Sequence, residues 1–423
     1  MPLGERVALE PLEPPDRLSH QAADFGEMAG DGEYLLAQAF LNRALDLARQ
    51  RRFELGRRLR KRLDLRPCAF ESRLDRSRLG PSLGRFAEPV PRALDRVLVH
   101  PGQRYRSRRM RVSELDYELP PELIAQRPVE RRDSSRLLVF ERATGAIRHR
   151  RFSELPDELT RRELVVVNDT RVLPARIRAV RPGGGEAEVL LLEPSGDDAV
   201  WEGLARPSRR LRAGQRLGPV ELLEPLGEGR WRLRLTGAPA GEMPLPPYIN
   251  ERLEDPERYQ TVYAEKEGSA AAPTAGLHFT PALLARLRTE RVTLHVGLDT
   301  FRPISADELD EHRLHSERYE VEPAAWERIR AAERVLAVGT TTVRVLESLA
   351  RGAPLAGRTD LFITPGFEFR RVDALLTNFH LPRSTLLALV MAFTGVEETR
   401  ALYRLAIEEQ YRFYSFGDAM LVF

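Results

Sequence analysis

The chain has 423 residues, 42% hydrophobic and 30% charged, which is the balance of a globular protein with room for two or three cores. Its single cysteine, Cys68, excludes an intrachain disulfide and a cysteine-rich metal cluster. No apolar run approaches the roughly 18 residues of a membrane span. Residues 1–15 lack the apolar centre of a secretion signal. We therefore expect a cytoplasmic protein that has no membrane partner.

The net charge of +3 is divided unevenly along the chain. Residues 1–109 contain 22 Lys+Arg and 15 Asp+Glu, a balance of +7, whereas the remaining residues contain 44 and 48, a balance of −4. Two interpretations of residues 1–109 stay open. They form a basic arm that adds affinity for RNA phosphates, or a poorly ordered extension such as a start codon assigned too early would produce. We favour the extension, because the pattern changes at Met110.

From Met110 onward the first elements are short strands. Leu164–Val167 is an apolar run that predicts a buried strand ending in a turn at Asn168. Four alternating runs follow, separated by glycine-rich turns: Ala175–Val180, Glu186–Glu193, Ala199–Ala205 and Arg230–Leu235. Strands with this length and spacing predict a small antiparallel barrel or sandwich.

After residue 247 predicted strands alternate with predicted helices. The predicted helices are Pro281–Glu290, Pro323–Ala332, Val343–Leu349 and Leu386–Phe393, and the predicted strands are Val292–Val296 and Val335–Val338. This alternation indicates an α/β core with a largely parallel sheet.

Motifs spread over residues 110–423 resemble one family. They are Met110–Pro128, Val167–Arg176 (VNDTRVLPAR), Met243–Ile249 (MPLPPYI), Tyr259–Ala264, Ala271–Phe279 (AAPTAGLHF), Leu294–Gly297, His315–Glu317, Ala337–Arg344 (AVGTTTVR), Thr377–Thr385 (TNFHLPRST) and Tyr411–Met420. In this order they resemble the S-adenosylmethionine:tRNA ribosyltransferase-isomerases of queuosine biosynthesis. The resemblance does not extend to residues 1–109.

The resemblance implies both a fold and a reaction. Residues 110–173 and 247–423 would form an α/β catalytic domain, and residues 174–246 a β-barrel domain inserted in it. The ribosyl part of S-adenosylmethionine would be transferred to the aminomethyl group of a 7-deazaguanine base (preQ1) at the tRNA wobble position and isomerised, releasing adenine and methionine. S-adenosylmethionine would be consumed as a substrate, with no metal or redox cofactor. We expect the protein to act as a monomer.

This chemistry requires a base that removes a C5′ hydrogen acidified by the sulfonium, together with help for the departing adenine. The body has no cysteine and one lysine, so histidine, aspartate, glutamate and tyrosine are the main candidates. We expect His278 and His380, which lie on predicted loops before helix starts, to act as acid or base. Asp169 and Glu317 are the next candidates.

Other motif residues are expected to bind substrate. Gly339 follows a predicted strand, and Thr340 and Thr341 open a helix whose N-terminus suits an anion, with Arg344 as the anchor of the methionine carboxylate. Helix capping by threonine is the alternative. The further expected contacts are Asn168, Arg171, Arg176, Thr274, His295, His315 and Asn378.

Three interpretations are left open by the residues themselves. His295 fits a hydrogen-bonded core histidine as well as a site residue. His312 and His315 are spaced to share a helical face, but they lack the glutamate of a zinc HExxH motif, so a polar or surface role is preferred to a metal site. Arg206, Arg209, Arg210, Arg212 and Arg216 form either a solvated barrel loop or a phosphate-binding patch.

Two other functional classes fit less well. An S-adenosylmethionine-dependent RNA methyltransferase is disfavoured, because no glycine-rich E/D-x-G-x-G loop follows a first strand. A noncatalytic tRNA-binding module would not need so many polar loop motifs.

Overall fold

The structure, a computed structural model, describes residues 110–196, 199–237, 241–297 and 304–423. The expectations for residues 1–109 lie outside these described residues. Within them the strands are β1 Arg136–Glu141, β2 Ala146–Arg151, β3 Glu163–Asn168, β4 Thr170–Val172, β5 Arg176–Val180, β6 Glu186–Pro194, β7 Val200–Arg206, β8 Arg216–Leu217, β9 Val220–Gly227, β10 Arg230–Leu235, β11 Lys266–Ser269, β12 Thr289–Leu294, β13 Glu317–Glu320, β14 Arg334–Val338, β15 Ala356–Thr359, β16 Ala374–Asn378 and β17 Ala419–Val422. The α-helices are α1 Leu155–Glu158, α2 Pro281–Leu284, α3 Pro323–Ala331, α4 Thr340–Leu349, α5 Thr385–Thr394 and α6 Val396–Glu408.

Nine of the described strands form one mixed sheet in the order β15-β13-β12-β3-β14-β16-β17-β1-β2. The four inner strands β12, β3, β14 and β16 run parallel to one another, so their carboxyl ends meet at one edge. From β3 the chain returns as β12 on one side and then as β14 on the other. Open α/β sheets bind ligands at such a reversal, beyond the carboxyl ends of the strands.

The inner strands are buried because both faces of the sheet are covered. In β3, Leu164 and Val166 contact the core formed with α4, α5 and α6, whereas Val165 and Val167 contact a second core on the opposite face. Successive side chains of a strand point to opposite faces, so a continuous apolar run fits a strand that is covered twice. The prediction of a buried strand here is confirmed.

The smaller sheet is antiparallel throughout, in the order β5-β6-β7-β10-β9-β8. Its alternating residues surround a separate apolar core that includes Trp201, Trp231 and Leu233. The four strands predicted for this region are present as β5, β6, β7 and β10. The predicted fold class, α/β with a small antiparallel barrel sheet, is therefore confirmed.

The prediction of a long helix at Pro281–Glu290 is wrong. Thr280 caps the helix as its sequence suggests, accepting a hydrogen bond from the amide of Leu283 at 3.2 Å, but α2 ends at Leu284. Residues from Thr289 onward pair with β3 instead, in register with Val165. Pairing with the central strand therefore replaces the last turns of the predicted helix, and β12 also ends two residues earlier than predicted.

In the described part of the chain, no helix has both the length and the apolar character needed to span a bilayer.

Candidate active site

A cleft lies beyond the carboxyl ends of the parallel strands. One wall is formed by His295 after β12, by Thr340 and Thr341 after β14, and by Arg344 of α4. The opposite wall comes from the antiparallel sheet, at Leu192, Glu193, Pro194, Leu204 and Arg230. The cleft has a cavity volume of about 170 Å³ and is open to solvent. Clefts at such positions are the usual ligand sites of α/β proteins.

His295 follows β12 directly, and its imidazole lines the cleft. Nδ1 lies 2.9 Å from Oγ1 of Thr170, and Nε2 has no hydrogen-bond partner among the described residues. Burial, and then the charge of Arg318, lowers the pKa of His295 to about 4. The ring is therefore neutral at pH 7 and offers a nitrogen for hydrogen bonding or proton transfer.

Arg344 and Glu317 form a buried ion pair beside the cleft. Arg344 donates from Nη1 to Glu317, from Nε to the Leu361 carbonyl at 3.0 Å and from Nη2 to the Thr359 carbonyl at 2.9 Å. The other carboxylate oxygen of Glu317 accepts from the amide of Gly297 at 2.8 Å. Three of the five guanidinium donors are thus engaged within the protein, and the charge of Arg344 already has a partner.

The start of α4 presents its first turn to the cleft. Gly339 has φ +84° and ψ 153°, a conformation open to glycine, and it turns the chain directly from β14 into the helix. Thr340 and Thr341 line the cleft, whereas the hydroxyl of Thr342 donates back to the Val338 carbonyl at 2.7 Å. The helix begins three residues earlier than predicted, so these threonines belong to its first turn.

Asn168 fastens the ends of β3 and β12 together. Its Oδ1 accepts from the amides of Leu294 at 3.0 Å and Thr170 at 3.2 Å. Its Nδ2 donates to the Leu294 carbonyl at 2.9 Å and to Oγ1 of Thr341 at 3.3 Å. Both polar atoms of the side-chain amide have hydrogen-bond partners within the protein, so Asn168 positions the residues that it contacts.

His278 is buried outside the lining of the cleft. It is the last residue of a 3₁₀-helix, Thr274–His278, where a loop was expected. Nδ1 lies 2.7 Å from Oγ of Ser135, and Nε2 lies 3.2 Å from Oδ1 of Asn378. The amide of Asn378 also donates to a carbonyl at 2.8 Å, which fixes its oxygen as the acceptor of the Nε2 proton. Burial lowers the pKa of His278 to about 4.

His380 is also buried outside the cleft lining, among aromatic side chains. Its Nε2 lies 2.7 Å from Oγ1 of Thr377, its amide donates to the Tyr403 hydroxyl at 3.0 Å, and its carbonyl accepts from the Tyr117 hydroxyl. Burial lowers the pKa of His380 to about 3. The structure therefore brings His278 to Asn378, but neither deep histidine joins His295 at the cleft.

Three polar residues near the start of the antiparallel sheet also lie outside the cleft lining. Asp169 accepts from the Thr293 hydroxyl at 2.6 Å, and burial raises the pKa of its carboxyl group. Arg171 pairs with Glu257 at 2.5 Å. Arg176 donates to a loop carbonyl at 3.1 Å.

The expectation that His312 and His315 share a helical face is wrong. A 3₁₀-helix ends at His312, whose backbone is extended (φ −75°, ψ 133°), because the following chain runs on toward β13. His312 places its ring against Phe362, with 5.5 Å between ring centroids, and His315 is exposed on the cleft. Among the described residues, no three His, Cys, Asp or Glu side chains form a group that could hold a metal ion.

Comparison with known proteins decides the family. The sequence model described as "Queuosine biosynthesis protein" matches residues 112–422. This chain belongs to the queuosine biosynthesis family. The S-adenosylmethionine:tRNA ribosyltransferase-isomerase of Rubrobacter xylanophilus is 55% identical over 328 residues, which cover 74% of this chain and 98% of that protein. The protein of the same name from Moorella thermoacetica is 52% identical over 344 residues, covering 74% and 100%.

A crystal structure of an S-adenosylmethionine tRNA ribosyltransferase from Thermotoga maritima is 39% identical and covers 74% of this chain and all of that chain, with a TM-score of 0.44. The family resemblance drawn from the sequence motifs is confirmed by the family match and the two relatives. The expectation of an enzyme, a transferase in queuosine biosynthesis, is confirmed with it.

Sequence reasoning missed residues that line the cleft of this queuosine biosynthesis protein, and one that supports its His295. Thr170, the partner of His295, lies inside the motif Val167–Arg176, but the sequence analysis assigns it no role. Glu193 and Arg358 pair across the cleft at 2.9 Å, joining the two walls. They are 165 residues apart in the chain, and no local pattern marks such a contact.

Proposed function

We propose that this chain transfers the ribosyl moiety of S-adenosylmethionine to the 7-aminomethyl-7-deazaguanine base at the wobble position of tRNA and isomerises it. The products would be epoxyqueuosine-tRNA, adenine and methionine. The names of the relatives support the reaction class. The observation that carries the proposal is the cleft, which combines a neutral imidazole, a helix N-terminus and an opposite wall from the antiparallel sheet.

Within this site we assign His295 as the proton acceptor for the C5′ hydrogen. His295 and His315 are the histidines in the described residues that line the cleft, and His295 is the more buried of the two. Thr170 holds Nδ1, so Nε2 is the nitrogen left for substrate. A neutral imidazole accepts a proton without first losing one. The sequence-based assignments of His278, His380, Asp169 and Glu317 as acid or base remain predictions.

The N-terminus of α4 is the proposed site of the methionine carboxylate. The free backbone N–H groups of a helix start attract anions, and Thr340 and Thr341 add hydroxyl groups there. Arg344 supports this end of the cleft through Glu317 and keeps two N–H donors beyond its three hydrogen bonds within the protein. S-adenosylmethionine is consumed in the proposal, which requires no metal or redox cofactor.

The domain division is part of the proposal. The catalytic domain would comprise residues 110–173 and 247–423, and the inserted domain residues 174–246. The antiparallel sheet, from Arg176 to Leu235, falls inside the proposed insertion. We propose that the protein works in the cytoplasm as a monomer that binds preQ1-containing tRNA and S-adenosylmethionine.

The product distinguishes the functional classes. The full chain is incubated with S-adenosylmethionine and tRNA that carries the aminomethyl-deazaguanine base, and the small molecules are quantified. We expect equal amounts of adenine and methionine, at a rate that a chelator leaves unchanged. Stoichiometric S-adenosylhomocysteine would contradict the proposal and indicate a methyltransferase. Loss of activity with chelator and its return with zinc would contradict the absence of a metal.

A further inference from the structure

The connection from β7 to β8 concentrates positive charge on the antiparallel sheet. We call residues 206–216 the arginine segment; it contains five arginines and no acidic residue. All five arginine side chains are exposed: Arg206, Arg209, Arg210, Arg212 and Arg216. The charge balance of residues 110–423 is −4, so the segment differs in sign from the protein around it.

Arginines elsewhere on the same sheet are paired with carboxylates. Arg178 lies 3.2 Å from Glu242 and Arg230 lies 2.6 Å from Glu202. The remaining pairs are Arg176–Glu188, Arg232–Glu224 and Arg234–Glu221. No ion pair within the described residues involves an arginine of the segment, so its guanidinium groups have not been neutralised by the protein.

Contacts with the antiparallel sheet and within the loop hold the backbone of the arginine segment in place. Leu211 is buried in the core of the antiparallel sheet. Trp231 donates from Nε1 to the Ser208 hydroxyl at 3.0 Å, and the amide of Arg212 donates to Gln215 at 3.1 Å. The backbone that carries the five arginines is therefore held in place, which lowers the entropy cost of binding an extended anion.

The segment adjoins the cleft. Leu204 lines the cleft two residues before Arg206. Glu228 and Arg230 line the cleft and also an open groove. The other side of the groove is formed by Ser208, Arg209, Leu211, Arg212 and Ala213. A chain bound along the groove would thus lead directly to the cleft opening.

We propose that the arginine segment binds the phosphodiester backbone of the RNA whose target base enters the cleft. This rests on the proposed function, since it assumes an RNA substrate. The segment has no aromatic residue and Trp231 is buried, so stacking on bases is not provided here. Arginine binds phosphate through paired, charge-assisted hydrogen bonds that do not read sequence. The segment therefore supplies affinity and register, and the base is recognised in the cleft.

The test compares two double variants that remove the same amount of charge. Arg209→Gln/Arg212→Gln removes two arginines that line the groove and have no carboxylate partner among the described residues. Arg232→Gln/Arg234→Gln removes two carboxylate-paired arginines from the same sheet. Binding of preQ1-containing tRNA to the full chain is measured at salt concentrations between about 50 and about 300 mM NaCl, the range over which phosphate binding weakens steeply. For the first variant the slope of log Kd against log salt should fall by about 1.4, which is about 0.7 for each phosphate that is no longer neutralised. Its Kd at about 0.1 M salt should rise on the order of tenfold.

Turnover provides the second readout. In the first variant the KM for tRNA should rise on the order of tenfold, while kcat and the KM for S-adenosylmethionine stay at wild-type values. The control variant should match wild type in slope and in KM. If the two variants behave alike while wild type binds and modifies tRNA, the inference is overturned and the proposed function stands. A wild-type chain that neither binds nor modifies tRNA contradicts the proposed function itself.

A membrane surface with anionic lipid headgroups is the alternative binding partner for clustered arginines. Vesicles of phosphatidylglycerol are therefore titrated in parallel. Vesicle binding that depends on Arg209 and Arg212, combined with unchanged tRNA binding by the first variant, would overturn the inference in favour of a lipid headgroup surface.

Discussion

At the residue scale, His295 of the cleft differs from the buried His278 in what its ring nitrogens meet. Both nitrogens of His278 have partners, Ser135 and Asn378. His295 has Thr170 on Nδ1 and no partner on Nε2 among the described residues. A side chain with every polar atom satisfied holds the fold, whereas one with an open nitrogen at a cleft can serve a substrate.

His295→Ala should therefore lower the maximal rate by about 10²- to 10⁴-fold, the usual effect of removing a positioned base. Adenine release under saturating S-adenosylmethionine measures it. His149→Ala is the matched control, because His149 is exposed on β2 and its ring meets only Tyr411 among the described hydrogen bonds and ring contacts. Near wild-type turnover of His295→Ala, with a large loss in His278→Ala or His380→Ala, would return the assignment to the deep histidines.

The buried ion pair gives a second residue-scale prediction. Side chains of Arg344 and Glu317 are 9% and 8% exposed, whereas those of Arg330 and Glu327 are 65% and 62% exposed. Arg344→Ala removes a buried positive charge that contacts the Glu317 carboxylate and should cost about 3 to 5 kcal/mol of unfolding free energy. Arg330→Ala should cost less than about 1 kcal/mol. Urea denaturation of both variants checks the contrast; equal, small losses would mean that the buried pair contributes little to stability.

At the element scale, local signals predicted where helices begin better than where they end. Ser384 caps α5 by accepting from the Leu387 amide at 3.1 Å, as its position before an apolar run suggested. The end of α2 depends on pairing between Thr289 and Val165, which are far apart in the chain. The order of the strands in the sheet likewise depends on pairing between residues that are far apart in the chain. The spacing of apolar residues and the capping of helices are local properties of the sequence, whereas strand pairing depends on the whole sheet.

The role of the junction between β14 and α4 can be tested by substituting alanine for the glycine that forms it. Gly339 occupies a backbone region that is essentially restricted to glycine, so Gly339→Ala should cost about 1 to 3 kcal/mol. Because the added methyl group should displace the first turn of α4, the substitution should also raise the KM for S-adenosylmethionine. Gly357→Ala is the control, because Gly357 has no positive φ and an added Cβ would meet its nearest atom, in Pro354, at 3.5 Å. Equal stability and KM in the two variants would contradict the role given to the junction.

At the scale of the whole molecule, sequence motifs predicted the parts of the site more fully than their arrangement. Asn168, His295 and Thr341 were all expected at the site, and the parallel strands do bring them to one edge. The same motifs contained His278 and His380, which the fold buries outside the cleft lining. A motif does not show which of its side chains faces substrate, because that depends on how distant segments cover one another.

Buried neutral histidines should also set the acid stability of the molecule. The pKa values of His278 and His380 lie at about 4 and about 3, below the value of 6.5 for an exposed imidazole. The unfolded chain therefore takes up protons before the folded chain does. Their stabilising contribution is complete above about pH 6.5 and is lost as the pH falls toward about 4. Asp169 and Asp418 have raised pKa values and act in the opposite direction, so a variant comparison is needed.

His278→Gln supplies that comparison, because an amide can still donate to Asn378 and accept from Ser135. The variant is expected to be less stable than wild type at about pH 7.5, but the difference should shrink by about 2 kcal/mol at about pH 5, since one titrating group has been removed. Urea unfolding at several pH values between these two measures it, with His149→Gln as the exposed control. A difference that stays constant with pH would show that His278 takes up its proton equally in the folded and the unfolded chain. The interpretation of His278 as a buried neutral imidazole would then have to be abandoned.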